Sequence, residues 1–428
     1  MDNFRKLFLM GIAFSILLVA CNTRTESGYA SDDDLEKAAR AIHERVLSID
    51  THDDIPFNFA TPEVDPGVWG ERQVTIPKMV DGGLDAGFFV VYVGQTERTP
   101  ENYEKAKADA MTKFEAIHRM TDEMYPDRIE LAYTANDFTR IKSEGKVIAA
   151  IGIENGYVIG TDISLVETYH NLGARYMTLA HGGHNDIADS STPRENLDTK
   201  EEEHGGLSAF GEEVVAEMNR VGMLVDVSHI SKNAMLHAVR VSRAPVIGSH
   251  SSVRALRDHP RNMDDEQLLA LRMSGGVIQI VALGNYLKSP SEQKEDALKT
   301  LYEEYGMAGG RIGFGDLSDD EVTEIRAKTA EINKKWPGAS VSDFVDHIDY
   351  AMEIIGVEHV GISSDFDGGG GILGWNDASE TFNVTLELVK RGYTEDEIEM
   401  LWGGNTLRIL REAEYVAAEM QAEEMASL

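Results

Sequence analysis

Several histidines and carboxylates of this sequence directly follow short hydrophobic runs, and their types and spacing suit metal binding. His52 and Asp54 stand two positions apart at the end of one run, so their side chains share one face of a strand and can hold one ion. Glu154, His229 and His250 end three other runs. Three imidazoles and two carboxylates are too many ligands for one open catalytic site, and a carboxylate such as Glu154 can bridge two ions. The pattern therefore predicts a pair of metal ions that share a water and acidify it to a hydroxide nucleophile.

Two more groups at the ends of hydrophobic runs have suitable chemistry. His181 follows the run 175–180, and Asp365 follows the run 359–364. A carboxylate at position 365 can take a proton from an activated water and pass it to a leaving amine. Asp367 either shares the face of Asp365 or caps the loop that follows.

Eight further histidines fall into two groups. Three lie in predicted loops from which they could reach the same site: His184, His204 and His259. Five lie in helical patterns and are interpreted as surface or packing residues: His43, His118, His170, His237 and His347. A single histidine after a strand is more often structural than a ligand. Four such histidines, together with one His-x-Asp pair and an isolated Glu, favour a shared metal site.

Parallel strands must bring these distant residues together. Hydrophobic, β-branched runs occur at 45–50, 88–93, 147–153, 175–180, 223–228, 245–249, 277–282 and 359–364. Helical patterns fill the gaps, for example at 101–120, 162–172, 207–221, 264–273 and 342–356. Near-continuous hydrophobic strands are typical of a parallel sheet buried on both faces. Eight strands alternating with helices predict a (β/α)₈ TIM barrel of the amidohydrolase type, with its active site at the C-terminal ends of the strands.

The chain divides into a leader and one large domain. Residues 1–21 have a basic start and a short apolar run that ends Leu-Val-Ala-Cys, which resembles the signal peptide and lipobox of bacterial lipoproteins. We therefore expect acylation of Cys21, a tether at 22–34 and a single barrel domain over 35–428. Residues 285–340 are longer than a barrel loop requires, and we interpret them as a helical insertion after strand seven.

Composition excludes some partners. The chain has 428 residues, and 74 Asp and Glu against 40 Lys and Arg give a net charge of −34. So acidic a surface repels phosphate backbones, which argues against nucleic-acid binding. Cys21 is the only cysteine, so the mature domain can form no internal disulfide. We expect an extracytoplasmic protein held to a membrane by its lipid, in the periplasm or at the cell surface.

Taken in order, the segments that carry these residues resemble the membrane (renal) dipeptidase family of zinc peptidases. The resemblance runs from about residue 40 to 412 outside the insertion. It rests on HDD at 52–54, IGIE at 151–154, RYMTLAH at 175–181, GLSAFG at 206–211, VDVSHIS at 225–231, PVIGSHSS at 245–252, RNM at 261–263, DFDG at 365–368 and GGN at 403–405.

The resemblance implies two zinc ions per chain, dipeptide substrates and a homodimer as one possible assembly. His52 and Asp54 would bind one zinc, His229 and His250 would bind the other, and Glu154 would bridge them.

Further roles follow from the same resemblance. His181 would support the developing oxyanion, and Asp365 would carry the proton. Arg261 would pair with the free carboxylate of the substrate, a geometry that guanidinium suits. Such a clamp favours dipeptides, because a longer chain has no free carboxylate one residue beyond the cleaved bond.

Some residues depart from the family pattern. Asp53 stands where Asn is common, and we expect this to change hydrogen bonding behind the ligands rather than the metal itself. Tyr157 stands where a histidine is expected. The length of insertion 285–340 leaves the side-chain preference and dimer geometry open.

Two other functions are compatible with parts of the pattern. Another barrel amidohydrolase, such as a deaminase or lactonase, would more often show His-x-His after strand one or a carboxylated Lys, and this sequence has His-x-Asp instead. Hydrolysis of N-acyl amino acids or β-lactams by the same site stays open. A non-enzymatic surface lipoprotein, built on a barrel that has lost its catalytic activity, would have lost a metal ligand or Asp365. All of these residues are present.

Overall fold

The computed structural model describes residues 31–198, 200–306 and 319–427. The predicted signal peptide with Cys21 and residues 22–30 of the predicted tether lie outside this part of the chain. Helix α1 spans Asp32–Arg45 and so includes the last three residues of the predicted tether, 22–34. The helix starts there because the Ser31 side chain accepts a hydrogen bond from the backbone N–H of Asp34 at 3.2 Å, and three aspartates in the first turn complement the helix dipole.

A parallel barrel forms the centre of the molecule. The strands are β1 (Ile49–Asp54), β2 (Ala86–Tyr92), β3 (Ile129–Leu131), β4 (Val147–Glu154), β5 (Ala174–Thr178), β6 (Leu224–Asp226), β7 (Ile247–Ser251), β8 (Val277–Val281) and β9 (Val360–Ser363). Eight of them follow the order β1-β2-β4-β5-β6-β7-β8-β9. Just beyond β9, the Phe366 carbonyl accepts a 2.9 Å hydrogen bond from the Asp54 N–H, which joins the last strand to the first. The predicted (β/α)₈ barrel is confirmed.

The short strand β3 was not predicted. It pairs in parallel with β4 but lies off the barrel path. Its three residues are too few to show either an apolar run or an alternation in the sequence.

Helices follow the strands and surround the barrel. They are α2 (Ile76–Gly82), α3 (Pro100–His118), α4 (Ala135–Ser143), α5 (Ser164–Asn171), α6 (Ala209–Val221), α7 (Lys232–Val241), α8 (Asp265–Met273), α9 (Gly284–Leu287), α10 (Glu292–Glu304), α11 (Asp319–Lys335), α12 (Val341–Ile355), α13 (Phe382–Lys390), α14 (Glu395–Glu399) and α15 (Asn405–Ser427). The five helical patterns that we set out in the sequence lie within two residues of α3, α5, α6, α8 and α12 at either end. Among the residues described, no helix is long and apolar enough to cross a membrane.

The insertion follows β8, the seventh strand along the barrel path. It contains α9, α10 and α11, and it ends where α12 begins. Leu301 of α10 and Ile325 of α11 form a small buried contact of their own, separate from the main core.

Apolar side chains fill the lower part of the barrel. Ile49, Phe88, Ile148, Tyr176 and Ile247 belong to one buried cluster supplied by five different strands. The rings of Phe88 and Tyr176 stack with their centroids 5.4 Å apart. Because the interior is packed there, the polar residues of the strands collect at the C-terminal ends.

Candidate active site

The side chains predicted to bind metal meet at the C-terminal mouth of the barrel. Glu154, the last residue of β4, lies between histidines from two neighbouring segments. Its Oε1 is 2.9 Å from Nε2 of His229 and 3.3 Å from Nε2 of His250. The same oxygen is 3.5 Å from Nε2 of His181. Residues far apart in sequence therefore meet around one carboxylate, as the spacing predicted.

A second group forms around His52 at the end of β1. Its Nε2 is 3.6 Å from Oδ2 of Asp54, 3.7 Å from Oε2 of Glu154 and 3.9 Å from Oδ1 of Asp365. Glu154 thus offers one oxygen to each group. The two groups are in direct contact, because the ring centroids of His52 and His250 lie 3.8 Å apart.

The hydrogen bonds behind His52 fix which of its nitrogens carries the proton. The Tyr176 hydroxyl donates to the Thr51 carbonyl at 2.9 Å. Because the hydroxyl has already donated its only proton, it must accept the 3.1 Å hydrogen bond from Nδ1–H of His52. In the neutral ring the lone pair of His52 is therefore on Nε2, which is buried and has no hydrogen-bond partner.

A second chain prepares His250 in the same way. The Ser249 hydroxyl donates to the Asp226 carboxylate at 2.7 Å. The same hydroxyl accepts a 2.8 Å hydrogen bond from Nδ1–H of His250. This leaves Nε2 of His250 directed at Oε1 of Glu154, 3.3 Å away, and at Nε2 of His229, 2.7 Å away. Asp226 is fully buried and also accepts from the Thr178 hydroxyl. Partners of this kind orient metal ligands and raise their basicity.

Burial and neighbouring charges shift the pKa values of this cluster. Burial lowers the pKa of His52, but the carboxylates of Glu154 and Asp54 outweigh it and hold that pKa well above its ordinary value. Burial opposes ionisation of Glu154, yet the surrounding histidines, led by His181, hold its pKa well below the ordinary value. Burial, with Asp54 and Glu154 nearby, raises the pKa of Asp365 well above its usual range.

Backbone strain concentrates at the same rim. His229, Asp365 and Asp367 have φ of 66°, 59° and 62°, and Asn155, directly after Glu154, has φ of 84°. Non-glycine residues rarely adopt this region, and they do so where the surrounding structure imposes it. His229 and Asp365 carry side chains of the site, and Asn155 directly follows Glu154. The strain therefore marks the functional end of the barrel.

The cluster opens into a cleft of about 1560 Å³. Arg261, in the loop after β7, lines this cleft and is only 4% exposed. One of its guanidinium nitrogens donates to the His250 carbonyl at 3.0 Å, while its Nε is buried without a partner. The Tyr286 ring lies 5.5 Å below the guanidinium. This places a fixed cation beside the proposed ligands.

The three loop histidines have different positions. His259 lines the cleft, and its Nδ1 accepts from the Arg261 N–H at 3.2 Å. His184 is buried and accepts from the Ser190 N–H, and His204 is bonded to the Asn185 carbonyl at 2.8 Å. Of the three, only His259 faces the cleft.

Asp367 belongs to the loop support rather than to the ligand groups. Its carboxylate accepts from the N–H groups of Gln73 and Val74 and pairs with Arg72 at 3.0 Å. Arg72 in turn donates to the Asp54 carbonyl at 2.6 Å.

The two single-residue departures from the family pattern have different surroundings. Asp53 is fully buried, and burial together with Asp50 raises its pKa well above the usual range. Tyr157 points away from the ligands, and its hydroxyl lies 2.8 Å from that of Thr96.

Several residues of the site were missed in the sequence. Asp226, Ser249 and Tyr176 lie within the predicted strands and act behind the ligands. Lys113 and Arg194 line the cleft but come from α3 and from the loop after β5. The sequence did contain a sign that Lys113 is unusual, because it is a charged residue on the buried face of its helix.

The donor set fits a pair of divalent cations. Three groups of potential ligands each lie within 4.8 Å: His52-Glu154-His250, Glu154-His181-His229 and His52-Asp54-Asp365. Among the residues that the structure covers, no Lys or Arg is ion-paired with Asp54, Glu154 or Asp365. Buried carboxylates need a counter-charge, and mixed imidazole and carboxylate ligands suit zinc.

Comparisons with known proteins agree with this geometry. The family model for membrane dipeptidases, peptidase family M19, matches residues 36–424. Dipeptidase aclJ of Aspergillus oryzae is 35% identical over 355 residues, covering 81% of this chain and 72% of that protein. Dipeptidase 3 of Rattus norvegicus is 30% identical over 400 residues, covering 90% of this chain and 69% of that protein. The crystal structure of the probable dipeptidase PvdM from Pseudomonas aeruginosa superposes with a TM-score of 0.80 at 32% identity, covering 90% of this chain and all (100%) of that one.

Proposed function

Because the chain belongs to the membrane dipeptidase family of metal-dependent peptidases, we propose that it hydrolyses dipeptides with two zinc ions. His52 and Asp54 would hold one ion, His229 and His250 the other, and Glu154 would bridge them. The bridge is supported by the two oxygens of Glu154, which face different histidine groups. When bound, the zinc ions would acidify a shared water to hydroxide and polarise the scissile carbonyl.

His181 is assigned to the substrate rather than to a zinc ion. Its side chain is 21% exposed in the cleft, whereas those of His229 and His250 are 9% and 3% exposed. Burial lowers the pKa of His181 and so favours its neutral form, which has one N–H to donate. A donor at this position would stabilise the oxyanion that develops on the carbonyl oxygen.

Asp365 is assigned as the proton carrier. A carboxylate at this position can take a proton from the attacking water onto one of its oxygens. It would then deliver that proton to the nitrogen of the leaving amine as the C–N bond breaks. Its Oδ1 lies 3.9 Å from Nε2 of His52, which keeps it beside the ligand cluster.

Arg261 is assigned to the free carboxylate of the substrate. Its guanidinium is held in place by the His250 carbonyl and by Tyr286, so little side-chain freedom is lost on binding. Glu154 between the two histidine groups is the observation on which the whole proposal rests. Replacement Glu154→Gln should abolish dipeptide hydrolysis and reduce bound zinc while the far-ultraviolet circular dichroism stays unchanged. Retained turnover in a folded Glu154→Gln protein would refute the mechanism.

Metal analysis distinguishes an active enzyme from a barrel that has lost its catalytic activity. About two zinc per chain in protein purified without chelator supports the binuclear site, and none supports a non-enzymatic barrel. We also propose that the protein is extracytoplasmic and anchored through acylated Cys21. The apolar run before this single cysteine supports the anchor.

A further inference from the structure

A buried lysine without an ion-pair partner faces the cleft from the side opposite Arg261. Lys113 is 4% exposed and lines the cleft together with Asp54 and Glu154. Its ammonium lies over the rings of Phe57 and Tyr92, at 5.1 and 5.7 Å from their centroids. Within the described ranges, neither a hydrogen bond nor a salt bridge to this ammonium is found.

The placement of this lysine is unusual for a surface helix. The buried stripe of α3 consists of Ala106, Ala110, Phe114 and Ile117, at the spacing of an apolar helical face. Lys113 falls inside that stripe instead of on the solvent side. A cation is rarely buried without a paired charge, so a ligand that arrives from the cleft is its natural counter-charge.

A second cation lines the same cleft. Arg194, in the loop after β5, lines the same cleft as Tyr92, and its charge acts on the Tyr92 hydroxyl by lowering the pKa that burial raises. Arg194 also has no salt bridge to any carboxylate in the part of the chain that is described. The acidic Glu195 next to it lines the cleft as well, but it is exposed. Lys113, Tyr92 and Arg194 thus form one cationic wall.

The position of this wall relates it to the substrate. Lys113 comes from the helix after β2, and Arg261 from the loop after β7. These strands are four places apart in the eight-strand order, which is opposite across the barrel. The ligand cluster lies between them. If Arg261 holds the carboxylate at one end of a dipeptide, the side chain of the first residue extends toward Lys113.

We propose that Lys113 and Arg194 form a subsite for an acidic side chain on the first residue, so that the preferred substrates are dipeptides beginning with Glu or Asp. This inference rests on the proposed dipeptidase function and adds the substrate class. A purely structural lysine, present only to offset Asp54 and Glu154, would instead affect all dipeptides alike.

The test compares L-Glu-L-Ala with its neutral counterpart L-Gln-L-Ala. For the unaltered enzyme with zinc, kcat/KM for Glu-Ala should exceed that for Gln-Ala at least about tenfold, since a hydrogen bond to a charged group contributes about 1.5–3 kcal/mol. In Lys113→Met the ratio should fall toward one, and in Lys113→Arg it should largely survive. Lys105→Met is the matched control, because Lys105 lies on the same helix with a side chain 71% exposed.

Several results would overturn the subsite. These are a ratio near one in the unaltered enzyme, a ratio unchanged by Lys113→Met, or an equal fall for both substrates in that variant. L-Ala-L-Glu tests the position, because a preference for it over Glu-Ala would place the acidic side chain at the second residue instead.

Binding distinguishes failure of the subsite from failure of the proposed function. Calorimetric titration with analogues of Glu-Ala and Gln-Ala, in which the peptide bond is reduced to an amine, requires no turnover. If no dipeptide is cleaved but the Glu analogue binds at least about tenfold tighter in a Lys113-dependent way, the dipeptidase proposal fails and the subsite stands. If both analogues bind equally and neutral dipeptides are hydrolysed normally, the subsite fails and the dipeptidase proposal stands.

Discussion

Replacing Ser249 by alanine tests whether the hydroxyl chain behind His250 prepares this imidazole for a metal. The Ser249 hydroxyl uses its one proton on Asp226 and therefore accepts from Nδ1–H of His250. The variant removes that acceptor. The ring is then free to carry its proton on Nε2, where it can no longer coordinate a cation.

The structure predicts effects of different size on folding and on metal binding. Asp226 accepts four hydrogen bonds and keeps three of them: from the Thr178 hydroxyl and from the N–H groups of Ser228 and residue 249. The free energy of unfolding of the metal-free protein should therefore fall by only about 1 kcal/mol. Loss of the partner behind a ligand weakens metal affinity roughly 10- to 100-fold, or about 1.4–2.8 kcal/mol.

The assay is competition for zinc against a chromophoric chelator, with thermal unfolding of the metal-free protein measured in parallel. Ser242→Ala is the matched control, since this serine also donates a hydrogen bond, to the Ala244 carbonyl at 2.7 Å, but at the end of α7 away from the cleft. A zinc Kd within twofold of the unaltered protein's would refute the reasoning. An equal loss of affinity in Ser242→Ala would refute it too.

Three further changes test other parts of the account. In Arg261→Met, kcat/KM for a dipeptide should fall about 10- to 100-fold while that for the matching dipeptide amide changes little; equal losses would remove the carboxylate clamp. Gly211→Ala places a Cβ 2.1 Å from the Ile187 carbonyl oxygen, so chemical denaturation should show a loss of about 1–3 kcal/mol, and unchanged stability would mean that the loop at 187 yields. Cys21→Ala should move the protein from the membrane to the soluble fraction of bacterial cells and abolish labelling with a fatty-acid analogue; persistent labelling would contradict the anchor.

The proposed ligands were predictable because of where they stand in the sequence. A buried parallel strand is a run of hydrophobic residues, and a polar residue directly after it must lie at the open end of the barrel. His52, Glu154 and His250 each occupy such a position, and the structure brings them together. The five predicted helices also agreed to within two residues at either end.

The supporting residues were not predictable from the same pattern. Asp226 and Ser249 interrupt hydrophobic strands, and a single polar residue in a strand does not reveal which neighbour it contacts. Tyr176 reads as an ordinary core residue, because only the three-dimensional packing brings its hydroxyl to His52. Lys113 is different, since its position in an apolar helical stripe is visible in the sequence once the helix is aligned.

The charges at the barrel mouth suggest why the site would select small anionic substrates. Asp54, Glu154 and Asp365 contribute three negative charges if ionised, and the two proposed zinc ions would contribute four positive charges. Lys113, Arg194 and Arg261 add three more positive charges that no carboxylate of the described chain neutralises through a salt bridge. The outer surface has the opposite sign, since the whole chain has a net charge of −34. A polyanion would be repelled before it reached the cleft, whereas a dipeptide small enough to enter would find cations at both ends.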